Sequence, residues 1–290
     1  MTRVVYFTAG SVGAGHLVRG VALRRALSRM GWHGEYHFVG PPIAFPCVTV
    51  TGHVTVPIEQ DLCLRRQETA PQSRLSQVLR LLDPDLVIVD LFWAPLRWVL
   101  PDMSAEAWLL LRKCPRSWLR GPVDARFDAS QFSRVITIEP FDAEVLSDDV
   151  SFEHVPPVVV ANPDERRPTG ALRRRFGYGS DDYLSVVLQA GLRGEGASIA
   201  EQACSAPHRL VLDMFSASSL FPAAEWLGDA NEIHTGAGYN AFWEAQWMGY
   251  ARRTHFYPFA RRLDDQAARA TLREARMTSN GADVLARQIV

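Results

Sequence analysis

The residues that could do chemistry gather in glycine-rich loops. Gly10-Ser11-Val12-Gly13-Ala14-Gly15-His16 is the first, and Gln189-Ala190-Gly191-Leu192-Arg193-Gly194-Glu195-Gly196 the second. Gly236-Ala237-Gly238-Tyr239-Asn240 is a third, with Glu244 four residues on. A glycine turn before a helix lets a ligand approach the backbone. The helix N-terminus then offers free N–H groups and partial positive charge, which suit phosphate. His16 at a helix start has the right pKa for proton transfer near neutral pH. Asn240 and Glu244 lie one helical turn apart and share a face, so a carboxylate there could accept two hydroxyl hydrogen bonds. The glycines at 10, 13, 15 and 20 miss the G-x-G-x-x-G spacing, and the second strand ends Phe38-Val39-Gly40 with no acid. Lys113, the only lysine, stands far from any glycine loop, so there is no G-x-x-x-x-G-K-[ST] loop. Nicotinamide and P-loop chemistry are therefore disfavoured.

These loops need strands and helices to hold them. Val4–Thr8 reads as a strand, Leu17–Met30 as a helix stopped by Gly31, and Glu35–Val39 as a second strand. That βαβ unit opens a doubly wound sheet. Positions 41–72 read as irregular, and Ser73–Leu82 as a short helix. Asp85-Leu86-Val87-Ile88-Val89-Asp90 is apolar until its end, as a central parallel strand covered on both faces must be. Ala107–Leu111 and Arg134–Ile138 follow as strands. Pro156, Pro157, Pro163 and Pro168 mark a domain boundary. The pattern then restarts with strands at Tyr183–Leu188, Leu210–Met214, Glu232–Thr235 and Thr254–Tyr257. Helices are expected from Ser198, from the Gly236 loop to about Met248, and over Leu263–Ala275. The fold class is α/β, with two Rossmann-like domains over 1–160 and 161–290.

Composition sets outer limits. A chain of 290 residues suits two domains, and 47% hydrophobic with 22% charged residues excludes disorder and coiled coil. A net charge of −1 gives no field for nucleic acid. The arginine-heavy cation set reads as codon bias of a GC-rich genome. Cys47, Cys63, Cys114 and Cys204 have no metal-ligand spacing and read as reduced, cytosolic thiols. No apolar run approaches the ~20 residues of a membrane span, and peripheral membrane contact stays open.

Two motifs together resemble one family. Gly13-Ala14-Gly15-His16-Leu17-Val18-Arg19-Gly20-Val21-Ala22-Leu23 is similar to the G-x-G-H-x-x-R-x-x-A-L opening of GT-B glycosyltransferases near the lipid II synthase, family 28-like branch. His234 through Glu244, followed by Asp264-Asp265-Gln266-Ala267-Ala268-Arg269-Ala270, resembles their donor block, G-x-G-[YT]-[NST]-x-x-x-E then D-Q-x-x-x-A. The resemblance implies two domains facing across a cleft, an N-terminal one for the acceptor and a C-terminal one for a nucleotide-sugar. It implies that Gly236, Gly238 and Asn240 cap the diphosphate, that Glu244 holds the ribose hydroxyls, and that Asp265 and Gln266 face the sugar. Gly191 and His234 belong with that donor side, and Gly13, Gly15 and Arg19 with the acceptor-side loop. The implied activity is inverting, metal-independent transfer from a nucleotide-sugar, UDP first, to a small-molecule acceptor, with no cofactor. A nucleotide-sugar hydrolase or a non-catalytic binding protein on the same scaffold are the alternatives.

Three departures from the family stand out. The C-terminal half is compact, with no room between Met214 and Glu232 for an extra strand and helix. Gly249-Tyr250-Ala251 replaces the usual Gly-x-Pro, and Arg252, Arg253, Arg261 and Arg262 crowd the neighbouring loops. Several residues keep two readings. His16 is a general base, or a phosphate contact that shapes the loop. Asp90 orients His16, or caps the next helix. Glu244 binds a diol, or is a solvated helix carboxylate. His234 is structural or touches phosphate, and Arg19 bridges within its domain or reaches the cleft. Arg173-Arg174-Arg175 is a solvated face or an anion patch, and the tryptophans are core or sugar platforms.

Overall fold

The computed structural model describes residues 1–10, 14–114, 127–140, 151–203, 208–272 and 275–290. Two separate parallel sheets are present. The first contains β1 (Arg3–Phe7), β2 (Glu35–Gly40), β3 (His53–Thr55), β4 (Leu86–Asp90), β5 (Glu106–Leu111), β6 (Arg134–Thr137) and β7 (Glu153–His154). Its order is β3-β2-β1-β4-β5-β6-β7. The second contains β8 (Leu184–Gln189), β9 (His208–Asp213), β10 (Glu232–Gly236) and β11 (Thr254–Tyr257), in the order β11-β10-β8-β9. The α/β class with two Rossmann-like halves is what the sequence indicates.

The unbroken apolar run of β4 has its cause in burial on both faces. Leu86 and Ile88 pack with α1 (Gly15–Arg29), through Leu17, Val18 and Leu23. Val87 and Val89 pack with α2 (Arg74–Leu82), through Leu75, Val78 and Leu79. Alternation puts Asp90 on the α1 face. A polar residue at the end of a wholly buried strand therefore points at the start of a helix bearing His16 and Arg19.

The second half adds α3 (Ala171–Phe176), α4 (Glu195–Gln202), α5 (Tyr239–Trp247), α6 (Gln266–Thr271) and α7 (Gly281–Ile289). Its sheet has four strands, and the compact stretch between β9 and β10 holds only short 3-10 turns, Ala223–Glu225 and Leu227–Asp229. Details beyond the sequence reading also emerge. The helix expected over 263–275 is only α6, because Asp265 caps it, accepting from the Ala268 N–H at 3.0 Å. At the proline-marked boundary, Val155, Val158, Val159, Val160 and Ala161 are buried in the core of the first half. The last helix, α7, leaves the second half and packs on α1, with Ala282, Leu285 and Ala286 buried in that same core. Arg29 seals the contact, its Nε donating to Asp283 at 3.1 Å. No helix among the described residues is long and apolar enough to cross a membrane.

Candidate functional site between the two sheets

The strand ends of both sheets open on one cavity of about 530 Å³. Its walls come from the loops after β1, β4 and β5 on one side and after β8, β10 and β11 on the other. Sites in open parallel sheets form at such carboxyl ends. His16, Arg19 and Gly15 line it from the first half. Gly191, Gly236, Gly238, Asn240, Glu244 and Gln266 line it from the second.

On the first side, Asp90 is 1% exposed and sits at the centre of a polar cluster. The Tyr6 hydroxyl donates to its Oδ2 at 2.5 Å, Arg19 Nε donates to the same oxygen at 3.0 Å, and Arg19 Nη2 to Oδ1 at 3.0 Å. His16 Nδ1 lies 3.0 Å from Asp90 Oδ2 and 2.8 Å from Arg19 Nη2. Burial works to raise the Asp90 carboxyl, but Arg19 and His16 outweigh it and hold it well below the usual carboxylate range. Burial lowers the His16 pKa and Arg19 lowers it further, against the upward pull of Asp90. The imidazole is therefore neutral at pH 7. Nδ1 stands between Asp90, to which it can donate, and Arg19, from which it can accept; in the tautomer that donates to Asp90, Nε2 is the proton acceptor. The ring is braced by Phe92, 4.9 Å between centroids, and by Gly10. A Cβ on Gly10 would lie 2.7 Å from Phe92 and 2.8 Å from the imidazole, so only glycine fits there. Arg19 thus bridges within its domain and also reaches the cavity wall.

On the second side, Gly238 is the N-cap of α5 with φ −63°, a value open to any residue. A Cβ there would meet nothing nearer than Gln266 Nε2 at 3.8 Å. Gly238 lines the cavity, so a side chain there would extend into space that no protein group crowds. Asn240 reaches across, its Nδ2 donating to the Gly15 carbonyl at 3.1 Å, while its Oδ1 is buried without a hydrogen bond. The two glycine turns are thereby clasped together. The Glu244 carboxyl has no hydrogen-bond or ionic partner among the described residues. It keeps some access through the cavity, yet burial pushes its carboxyl up to about 8.

Two expected residues are not brought to the cavity wall. His234 alternates away from it and stacks on His255, centroids 4.8 Å apart, while its neighbours Thr235 and Gly236 form the wall. Asp265 is spent on capping α6, and Asp264 takes its place in the lining. Gly13 lies outside the described residues.

Several residues that sequence reasoning passed over hold the halves together. Glu139, after β6, receives Arg269 from α6 through Nε at 3.1 Å and Nη2 at 3.0 Å, and Trp243 Nε1 at 3.1 Å. Arg269 also meets Asp264 at 2.7 Å, and Arg112 Nη1 donates to Asp264 at 2.9 Å. The Tyr239 hydroxyl donates to the Ile138 carbonyl at 2.8 Å. In the lining, Arg261 pairs with Glu195, while the exposed Arg262 has no ion pair among the described residues.

No family model matches the chain, and no curated protein matches it either. Solved structures do. Spinosyn forosaminyltransferase is 18% identical with a TM-score of 0.57, and the match covers 100% of this chain and 90% of that one. Phytolacca americana UGT2, complexed with UDP-2fluoro-glucose and pterostilbene, is 14% identical at a TM-score of 0.54, covering 99% of this chain and 89% of that one. The chain has the GT-B fold. A putative UDP-N-acetylglucosamine 2-epimerase from Listeria monocytogenes shares it, at 10% identity and TM-score 0.53, covering 99% of this chain and 86% of that one. The GT-B scaffold is thus shared by proteins named for different reactions, and the chemistry has to be argued from the side chains in the cleft.

Proposed function

We propose that this GT-B chain moves a sugar from a nucleotide-sugar, a UDP-sugar first, to a small-molecule acceptor, with inversion and without a metal at the reacting atoms. The observation that carries the reading is one cavity with opposite chemistries on its two walls. A neutral imidazole held by a buried carboxylate faces a glycine turn, a helix N-terminus and an unpartnered carboxyl. In the proposed step His16 Nε2 takes the acceptor hydroxyl proton. The oxygen forms a bond to the anomeric carbon as the bond to the diphosphate oxygen breaks, and the electron pair leaves on the diphosphate. The helix N-terminal N–H groups beside Gly236 and Gly238 meet that charge, with the unpaired Arg262 as the available cation. Glu244 accepts the two ribose hydroxyls. Its raised pKa fits a carboxyl waiting for donors it lacks in the free protein. The same arrangement would serve the hydrolase reading if water entered in place of the acceptor.

The direct test is thermal unfolding with UDP-, dTDP- and GDP-sugars, since a ligand of the folded form raises stability by RT ln(1 + [L]/Kd). No shift with any of them would remove the donor assignment. Free sugar released without an acceptor would instead favour the hydrolase.

The donor wall makes two further expectations. A diol that donates twice to Glu244 requires it ionised, and in the free protein it holds its proton up to about pH 8. Nucleotide affinity should therefore rise with pH by up to about tenfold per unit until about 8 and then level off. Glu244→Gln should flatten that slope and cost roughly 1–3 kcal/mol of binding. Isothermal titration between pH 6 and 9 checks this, and an unchanged slope in the variant rejects the role. Gly238→Val should weaken binding more than Glu244→Gln while leaving the melting temperature of the free protein nearly unchanged, because the branched side chain fills space meant for the diphosphate.

A further inference from the structure

The histidine that does not join the cavity belongs to another cluster. Glu232 and His234, two residues apart on β10, project to the same face of the sheet. The register aligns His234 with His255 on the edge strand β11 and with Val187 on β8. Val187 packs with Ile199, so this is the face that α4 covers. One ligating atom from each of Glu232, His234 and His255 lies within 4.8 Å of the other two. His234 Nε2 is 3.5 Å from Glu232 Oε2, and His255 Nε2 is 3.8 Å from Glu232 Oε1. His234 is only 4% exposed, and its Nε2 is buried with no hydrogen bond. Its other nitrogen, Nδ1, lies 3.0 Å from the Tyr257 hydroxyl. With Nδ1–H donating to that oxygen, the Nε2 lone pair faces Glu232. At 3.5 Å, Glu232 Oε2 is too far from it for a well-formed hydrogen bond, and a buried nitrogen so poorly satisfied is costly unless something fills the gap.

We propose that Glu232, His234 and His255 bind a divalent transition-metal ion, zinc first, on the α4 face of the second sheet. Two imidazoles and a carboxylate form a borderline nitrogen and oxygen set that suits zinc, cobalt or nickel, while magnesium and calcium want more oxygens than this cluster has. Ligands on a tetrahedral ion at roughly 2.0–2.1 Å stand about 3.3 Å apart. The separations of 3.5 and 3.8 Å from Glu232 are close to that, and the two imidazoles, now stacked at 11°, come onto one ion when the exposed His255 ring turns out of the stack. His255 has 53% of its side chain exposed, so a fourth position stays open to water. With the ion on Nε2, Nδ1–H donates to the Tyr257 hydroxyl oxygen, the outer-shell bond that metal-binding histidines make. The ion ties β10 to the edge strand β11. Glu232, His234, His255 and Tyr257 are all absent from the cavity wall, so the ion takes no part in the transfer step.

The test uses the full chain without a histidine tag. Zinc chloride should raise the melting temperature saturably, with one equivalent bound, and magnesium chloride should not. Cobalt chloride should give visible absorption of a low-coordinate site. His255→Ala and Glu232→Gln change solvent-accessible side chains and should fold as the parent does, with zinc affinity at least tenfold weaker. Tyr257→Phe should weaken it by roughly 10–100-fold through the lost outer-shell bond. No zinc-dependent shift overturns the proposal. So does an equal shift with magnesium, or zinc affinity unchanged in His255→Ala, which would put the ion elsewhere.

Discussion

An Asp90→Asn variant is expected to lose about 3–5 kcal/mol of folding stability together with turnover. The reason is Arg19. Its guanidinium is 2% exposed and rests on Asp90 through two hydrogen bonds of 3.0 Å each. Burial works against the charge on Arg19, and the coupling to Asp90 more than restores it, so the guanidinium stays ionised in the fold. With asparagine at 90 that cation loses its negative partner and keeps one neutral amide oxygen and the face of Tyr239, 5.0 Å from the ring centroid. Neither replaces a carboxylate in a site this dry. The pH dependence has a definite sign. The folded-state pKa of Asp90 lies below its unfolded value, so its contribution is complete above the ordinary carboxylate range. It is lost as pH falls from about 4 toward the depressed folded value. The stability gap between parent and variant should therefore be widest above about pH 5 and narrow below 4. Urea unfolding across that range measures it. Equal stabilities at pH 7 would mean that the pair is not holding the fold.

That cluster marks the limit of what the sequence could tell. The strand ending on Asp90 is legible because double-sided burial leaves an apolar run, and the glycine turns are legible because no regular element tolerates them. His16, Asn240 and Glu244 follow from their spacing to those turns. Arg19 could not be assigned, since its partner lies 71 residues away. The same holds for Glu139 with Arg269 and for Arg112 with Asp264, pairs separated by 130 and 152 positions. Long-range ion pairs leave no local period to read. Other misses did leave a signal. Asp265 stands three residues before Ala268 at a helix start, the spacing of an N-cap, which frees Asp264 for the cavity. Strand alternation across Ile233-His234-Thr235 already implies that His234 and Thr235 cannot face the same way. Asn280-Gly281 followed by apolar residues at 282, 285, 286 and 289 is a capped amphipathic helix, and α7 is that helix. Its docking on α1 is a tertiary event that no spacing announces.

Because Asp90 carries both the histidine and a buried cation, it is a poor probe of the chemistry, and His16 is the better one. His16→Ala should cut turnover by about 10²–10⁴-fold while donor affinity stays near that of the parent. The donor-facing groups, Glu244 and the Gly236–Gly238 turn, come from the other half of the chain, and the Asp90–Arg19 pair survives the substitution with both charges intact. Stability should thus change far less than in Asp90→Asn, separating catalytic loss from unfolding. The pH–rate profile adds a second readout. Burial, with Arg19 beside the ring, holds His16 below the ordinary histidine pKa of 6.5. At saturating donor, where the pH dependence of Glu244 drops out, the parent rate should fall on the acid side only below that value, as Nε2 takes up a proton and ceases to be a base. His16→Ala should lose this limb. A phosphate-contact role predicts another pattern, in which donor affinity weakens in step with the rate and the acid limb shifts both. Steady-state kinetics over pH 5–8 with direct titration of the nucleotide distinguishes them. Near-normal turnover in His16→Ala would reject His16 as the base and place proton removal on another group of the cavity wall.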